Sequence, residues 1–383
     1  GRFLAEAYDP SRTLLGRQQV EDLKADLLDV EAKGITWKFI TIPEPIQNFG
    51  LLNAEDRFEG YAAERAEILQ FIDDNDIDNV VFMAGDFHGT IVNNLTYQTA
   101  PGTEQIATNA FEIVTGPVAF NDGLFGPTVA NLATAAGLIT PEQRAFYDAL
   151  PVAGDTDSEL NDKDDFIKNL LVEQTTPLGY DPVGLNNNLA QAENLIDAEL
   201  LQGDYVSTHT FGWTEFDIDA ESQALTVTTY GIEPYSEEEL LENPDEITSR
   251  EPQIVSHFVD NPQNLDSTPP TITGTITPAD NDTDVAVDSN ISFNLGEEVT
   301  ALADKNIAIA DEAGNVITIA ANDTNQVSIA DGVVTINPAA DLMTDKEYTV
   351  TIESGAFIDG AGNEFDGTIA ADGAFNFTTV AAT

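Results

Sequence analysis

The clearest potential for chemistry in the sequence lies in a carboxylate and an imidazole two positions apart, Asp86 and His88. They follow a predicted strand at 79–84, whose apolar residues are typical of a strand buried on both faces. Ligands of open α/β sheets bind where strands end and loops begin. An Asp and a His with one residue between them can face two adjacent metal ions, so the spacing indicates a metal site. The alternative is an Asp that caps the next segment and a His packed in a turn.

The other two histidines give weaker signals. His209 is surrounded by hydroxyl residues at positions 207, 208 and 210, which indicates the lip of a site and makes His209 a candidate catalytic residue. The alternative is a hydrogen-bonded histidine within a strand. His257 lies in a separate apolar stretch, and we expect it to be structural. The histidines are too scattered to form a zinc triad by their spacing.

Composition excludes several other kinds of site. The 383 residues include 68 Asp and Glu against 14 Lys and Arg, which gives a formal net charge of −54. Such a surface repels nucleic acid and anionic lipid, and a site for a phosphate ester would need metal cations to offset the field. The absence of cysteine excludes thiolate nucleophiles, and the sequence has neither a Gly-x-Ser-x-Gly elbow nor a phosphate-binding Gly-rich loop with Lys.

Charge and hydropathy also bear on location. High acidity with few lysines suits a salty, extracellular or halophilic setting, and a strongly solvated surface explains it equally well. No apolar run reaches the roughly 18 residues that a membrane-spanning helix needs, so we expect no transmembrane segment. The sequence starts at Gly1 with neither an initiator Met nor a signal peptide, so we expect a processed chain or a fragment.

Alternating helices and strands must position the candidate residues. Apolar spacing predicts helices at 17–32 and 54–73 and several more within 127–203. Strands are predicted at 37–42, 79–84 and 111–120, and a hairpin is predicted at 205–218 and 224–230. This order indicates an α/β region that covers residues 1–232.

The composition and the predicted secondary structure change in the second half of the chain. Residues 233–267 are acidic and contain proline, which predicts a connecting arm with one possible strand at 253–259 and a boundary near Asp266. Beyond it, short strands recur between turn signals at 291–295, 307–309, 316–319, 333–336, 348–352 and 375–378. This pattern over residues 268–383 predicts an all-β, immunoglobulin-like sandwich.

Four segments of the first region match motifs of a known family. They lie at 14–19, 37–40, 56–65 and 85–88. Each is a weak match alone, but their order and spacing together are specific. Together they resemble the C-terminal half of PhoD-type alkaline phosphatases and phosphodiesterases, members of the calcineurin-like metallophosphoesterase superfamily. The resemblance covers about residues 1–230. It implies a four-layer α/β/β/α sandwich, of which this chain would hold only the C-terminal half.

The resemblance also implies roles for single residues. The loop from Gly85 to His88 corresponds to the metal loop of the superfamily, so His88 would be a ligand of one metal and Asp86 a ligand or close partner of the other. Asp56 matches a position near the family's site and is a candidate catalytic residue. The implied metals are iron and calcium, and the implied substrates are phosphate mono- or diesters, attacked by a metal-bound hydroxide.

The family's earlier motifs, which supply further metal ligands, have no counterpart in this sequence. Half of a two-metal site leaves coordination positions unfilled, and half of a sandwich exposes a broad apolar face. We therefore expect the chain to be part of a longer protein or to associate with the missing N-terminal half. Alone, it should be nearly inactive.

Residues 268–380 are similar to the bacterial Ig-like domains of S-layer and secreted multidomain proteins, on segments 268–270, 278–280, 345–350 and 359–363. This similarity implies an extracellular spacer or adhesion role. Acidic turns at 280–284 and 359–363 could bind calcium, and the alternative is that they are solvated turns.

Two functional hypotheses follow from these observations. The first is an exported metal-dependent phosphoesterase, extracellular, cell-surface or periplasmic, with an Ig-like tail. The second is a non-catalytic structural or surface-layer protein built on a phosphatase-like scaffold.

Overall fold

The computed structural model describes residues 2–50, 54–119, 123–152, 159–180, 183–185, 196–263, 268–360, 362–370 and 375–381. The chain divides into two units. Unit 1 comprises Gly1–Leu28 and Trp37–Asn264, and unit 2 comprises Asp29–Thr36 and Leu265–Thr383. Unit 1 mixes helices and strands, whereas the fold of unit 2 is built from strands. In the described ranges, no helix is long and apolar enough to cross a membrane.

The elements of unit 1 follow the alternating pattern. Its helices are α1 (Arg2–Ala7), α2 (Arg17–Ala32), α3 (Ala62–Asp74), α4 (Phe125–Ala136), α5 (Pro141–Ala149), α6 (Lys163–Thr175), α7 (Glu237–Glu242) and α8 (Pro244–Thr248). The last turn of α2, from Asp29, is assigned to unit 2. Its strands are β1 (Lys38–Thr41), β2 (Val80–Ala84), β3 (Thr90–Tyr97), β4 (Ile106–Val114), β5 (Asp197–Gly203), β6 (Val206–Ser207), β7 (Phe211–Ile218), β8 (Leu225–Ile232) and β9 (Gln253–Asn261).

Two sheets organise unit 1. The first has the strand order β1-β2-β4-β3-β6, with β2 parallel to both of its neighbours. The second is antiparallel, with the order β5-β9-β8-β7. Strand β2 is apolar throughout because both of its faces are covered. Val80, Phe82 and Ala84 pack with residues of α2, α3, α4 and α6, whereas Val81 packs against the second sheet.

Three strand assignments differ from the sequence-based prediction. Strand β3 was not predicted, because its central residues are two asparagines; Asn93 accepts a hydrogen bond from the backbone of Gly184, and Asn94 donates one to the carbonyl of Leu185. Strand β5 lies in a stretch predicted to be helical. Its residues favour helix, but hydrogen bonds to β9 override that preference. The strand predicted at 111–120 is β4, which begins earlier and ends at Val114.

The segment predicted as a connecting arm contributes to the second sheet. Helices α7 and α8 occupy its first half, and Ser236 caps α7 by accepting a hydrogen bond from the Glu239 backbone. Strand β9 follows and pairs with β5 on one side and β8 on the other. The boundary expected near Asp266 lies outside the described residues.

Unit 2 contains the predicted short strands and several more. They are β10 (Thr273–Thr277), β11 (Asp282–Val285), β12 (Ile291–Asn294), β13 (Thr300–Ala301), β14 (Asn306–Asp311), β15 (Val316–Ala320), β16 (Val327–Ala330), β17 (Val333–Ile336), β18 (Glu347–Ile352), β19 (Phe357–Ile358) and β20 (Phe375–Thr379). The two larger sheets have the orders β10-β12-β17-β16 and β11-β20-β18-β14-β15. One buried apolar cluster joins them, with Phe293 from one sheet and Phe375 from the other. The arrangement agrees with the predicted sandwich.

The acidic turns of unit 2 use their carboxylates in local hydrogen bonds. Asp359 accepts from both the backbone and the side-chain amide of Asn363. Asp280 accepts from the side chain of Asn281 and from the backbone of Asn376. These bonds are sufficient to explain the acidic residues as turn formers.

We predict that residues 268–383 fold by themselves, because all members of their buried cluster lie within that range. Expressed alone, this fragment should show one cooperative thermal transition with sharp near-ultraviolet circular dichroism. A fragment with native-like far-ultraviolet signal but no sharp transition would contradict the prediction.

Candidate functional site

The loop that follows β2 adopts an unusual backbone conformation. Asp86 and His88 both have positive φ angles, 63° and 60°, a region that residues with a Cβ rarely occupy. The backbone N–H of Phe87 closes a tight turn onto the carbonyl of Gly85 at 2.8 Å. As predicted, the pair stands at the carboxyl end of an internal strand. The left-handed geometry at two such residues is a feature that sequence spacing did not reveal, and it is typical of functional loops.

A cavity of about 520 Å³ opens beside this loop. One end of it is lined by charged and polar side chains, namely Glu44, Asp56, Arg57, Asp86 and His88. Three of the four predicted site residues, Asp56, Asp86 and His88, are thus brought to one cavity. Arg57 is the one residue, among the described residues that line the cavity, whose side chain is always positively charged.

Glu44 is a site residue that sequence analysis missed. It lies between Pro43 and Pro45, just after β1, where the sequence gives no sign of a ligand. Partial burial, and then the negative charges of Asp86 and Asp56, raise the pKa of Glu44 to about 7. Glu44 and Asp86 also share a hydrogen bond. Carboxylates therefore crowd together at this end of the cavity.

Buried polar groups fix the loop that carries Glu44. Glu112, near the carboxyl end of β4, accepts hydrogen bonds from the backbone N–H groups of Ile46 and Gln47 at 2.7 and 2.9 Å. Arg65 of α3 donates to the carbonyls of Ile46 and Thr96. The loop is thus held from the first sheet and from a helix, which leaves little freedom for the position of Glu44.

Burial raises the pKa of Glu112 from its ordinary 4.5 to about 7. The folded protein therefore keeps this proton to a higher pH than the unfolded chain does, so the unfolding free energy should fall as pH rises from about 4.5 to about 7. The loss attributable to Glu112 is up to about 3 kcal/mol. The unfolding free energy, measured by denaturant unfolding at several pH values, should fall less steeply with rising pH for Glu112→Gln than for the wild type. Other buried carboxyls, such as Asp165, titrate in the same window, so only the difference between the slopes reports on Glu112. Equal slopes would contradict the prediction.

The neighbouring segment is held by a buried ion pair. Arg57 lies 2.6 Å from a carboxylate oxygen of Glu59, whose side chain is fully buried. Glu59 also accepts a hydrogen bond from the backbone of Gly50, and Arg57 donates to the carbonyl of the same residue. This pair anchors Asp56 beside the cavity.

The structure places His209 apart from the other predicted site residues. His209 is not among the described residues that line the cavity, and its side chain is 3% exposed. Its Nδ1 lies 2.7 Å from Asp164 and its Nε2 lies 2.8 Å from the hydroxyl of Tyr147. Asp164 also accepts hydrogen bonds from the backbone and hydroxyl of Thr208. The ring is hydrogen-bonded, as the alternative expected, but His209 lies in the loop between β6 and β7 and not within a strand.

The His209 cluster nevertheless contacts the backbone next to the cavity. A Cβ on Gly126 would lie 2.3 Å from the His209 ring, so only glycine fits there. The N–H of Gly126 donates to the Thr208 carbonyl, and the N–H of Phe125 donates to the His88 carbonyl. The start of α4 therefore links the His209 cluster to the loop of Asp86 and His88.

The donor atoms at the acidic end fit metal ions in kind. Carboxylate oxygens suit calcium, and an imidazole suits iron. Within the described ranges, however, no three His, Asp or Glu side chains converge closely enough to hold a metal by themselves. The described residues thus provide part of a coordination shell.

Comparison with known proteins points to the same region. Residues 2–162 match the family model described as PhoD-like phosphatase, and residues 266–379 match that of a bacterial Ig-like domain, which confirms both resemblances. Over 99 residues the chain is 33% identical to alkaline phosphatase D of Bacillus subtilis (strain 168), covering 24% of this chain and 16% of that relative. A solved structure described as the structure of PhoD has 25% identity, covers 29% of this chain and 22% of its own, and has a TM-score of 0.25.

Proposed function

We propose that unit 1, whose residues 2–162 match the PhoD-like phosphatases, forms part of the active site of a metal-dependent phosphoesterase. The observation that carries the proposal is that Glu44, Asp56, Asp86 and His88 line one cavity, with Asp86 and Asp56 close enough to raise the pKa of Glu44. All four lie inside the matched region. The cavity opens at the carboxyl end of β2, where α/β proteins bind their ligands.

Each side chain has a role that its chemistry allows. His88 would hold one metal ion and Asp86 would hold or adjoin the second, and the family resemblance implies that the two ions are iron and calcium. Glu44 and Asp56 add negative charge that favours cation binding. The chemistry supplied by the bound ions would be the activation of water and the neutralisation of phosphoryl charge. Arg57, which is paired with Glu59, also lines the cavity where an anionic ester would lie.

The His209 cluster would act through position. Its side chain is enclosed by Asp164 and Tyr147, so it holds the start of α4 while α4 holds the carbonyl of His88. We propose that His209 keeps the metal loop in place, and that direct participation in catalysis would require another conformation. Its hydrogen bonds make it a positioning residue for the site.

The remaining ligands would come from outside the described residues. Unit 1 shows helices, a first sheet and a second sheet in succession, and we propose that the missing N-terminal half completes both the metal site and a four-layer sandwich. Phosphate mono- or diesters would be the substrates, and the natural protein would work outside the cell, since the second unit is a bacterial Ig-like domain.

That domain also favours a second candidate. Residues 266–379 match a family of bacterial Ig-like domains, and the resemblance to such domains implies a spacer or adhesion role. A surface-layer protein with an inactive phosphatase-like scaffold would have this organisation. The two candidates differ in whether the acidic end of the cavity binds metals.

The test is hydrolysis of bis(4-nitrophenyl) phosphate by the full-length natural protein before and after removal of metals with a chelator. The proposal predicts turnover that is lost on chelation and restored by added iron and calcium. The isolated chain should turn over at a small fraction of that rate. A natural protein that is inactive with every metal, yet folded, would favour the structural candidate.

A further inference from the structure

Most of the cavity lining beyond the acidic end is apolar, with Thr128 and Gln174 as the polar exceptions among the described residues. Three rings, those of Phe49, Phe87 and Phe125, are stacked, with ring centroids 4.2 Å apart in the first pair and 4.0 Å apart in the second. Leu132 of α4, Leu138 after it and Leu170 of α6 continue the surface. We call these six residues the apolar wall.

Two members of the wall remain open to water. Leu132 is 47% exposed and Leu138 is 53% exposed, although both line the cavity. A ligand that covers these side chains would gain from the hydrophobic effect, and a hydroxyl-rich ligand would leave polar groups without partners against them.

The wall is physically joined to the candidate metal ligands. Phe87 stands between Asp86 and His88 in the loop, and its ring lies between those of Phe49 and Phe125. The backbone of Phe125 is hydrogen-bonded to the His88 carbonyl at 2.9 Å. A molecule whose anionic group sits at the acidic end with its metals would therefore lay its remaining atoms along the wall.

We propose that the apolar wall binds the organic group of the phosphate ester, so that the preferred substrates carry an aromatic or branched aliphatic group rather than a sugar or polyol. The inference rests on the proposed function, since the phosphate must be held at the acidic end. A volume of about 520 Å³ is typical of sites for small ligands and leaves room for a ring beside the phosphate.

The test compares three ligands by calorimetry on the full-length natural protein with added iron and calcium: benzylphosphonate, methylphosphonate and benzyl alcohol. Benzylphosphonate should bind at least about tenfold more tightly than methylphosphonate, as expected for burying one ring. The double variant Leu132→Gln/Leu138→Gln should lose most of that advantage and keep the affinity for methylphosphonate. These leucines are half exposed, so the fold should tolerate the change.

The matched control is Leu160→Gln/Leu241→Gln, which alters two leucines that are 44% and 75% exposed and do not line the cavity. It should retain the full advantage of benzylphosphonate. Equal binding of the two phosphonates overturns the inference and leaves the proposed function standing. Binding of benzyl alcohol without either phosphonate contradicts the proposed function, and the inference with it. A dimeric chain that binds none of the three would assign the wall to a second copy.

Discussion

Replacing His88 with alanine is expected to lower kcat/KM for a chromogenic phosphodiester by about a hundredfold or more in the full-length natural protein. The imidazole lines the acidic end of the cavity and is the candidate ligand of one metal. Loss of a ligand weakens both metal retention and the activation of water. Steady-state assays at fixed free metal, over a range of substrate concentrations, provide the measurement.

His257→Ala is the matched control for this change. His257 lies on β9 in the second sheet and shares a hydrogen bond with Thr228. It is not among the described residues that line the cavity. Its replacement should leave kcat/KM within a few fold. Full activity of His88→Ala, or a larger loss in His257→Ala, would show that the site is assigned to the wrong residues.

Replacing Asp164 with alanine is expected to lower the unfolding free energy by about 3 kcal/mol. One carboxylate accepts hydrogen bonds from the Thr208 backbone, from the Thr208 hydroxyl and from the His209 ring, all in a buried environment. Alanine would leave these groups without that partner. Asp164→Asn keeps one acceptor oxygen, so its unfolding free energy should fall by less than that of Asp164→Ala. Chemical denaturation followed by tryptophan fluorescence measures both effects.

Asp148→Ala is the control for Asp164. Asp148 is also acidic, but it forms an exposed ion pair with Arg144 one helical turn away on α5. Such pairs contribute little, so the unfolding free energy should change by less than about 1 kcal/mol. If both aspartate variants were equally stable, the His209 cluster would not hold the start of α4 as described.

Strand β2 and its loop were predictable because local sequence determines them. The run at Val80–Ala84 is apolar at every position, which is typical of a short strand covered on both faces, and the loop that follows carries Asp86 and His88. The strands of unit 2 were predictable for a similar reason, since alternating residues and turn signals define each one.

Other parts depend on contacts between distant segments. Glu44 reaches the site because Glu112 and Arg65 hold its loop. The sequence around Glu44 contains no motif that would predict a metal ligand. Strand β5 is formed by pairing with β9, against its local preference for helix. The hydroxyl residues around His209 drew attention to a real cluster, but spacing could not show that Asp164 and Tyr147 enclose the ring.

Metal content tests the central claim most directly. The full-length natural protein, purified without chelators, should contain tightly bound metal in near-stoichiometric amounts by mass spectrometry, with iron and calcium as the expected ions. Asp86→Ala/His88→Ala should lose most of it while its circular dichroism stays unchanged, and His257→Ala should retain it. The account is contradicted if the wild type carries no metal, or if the double variant carries as much as the wild type.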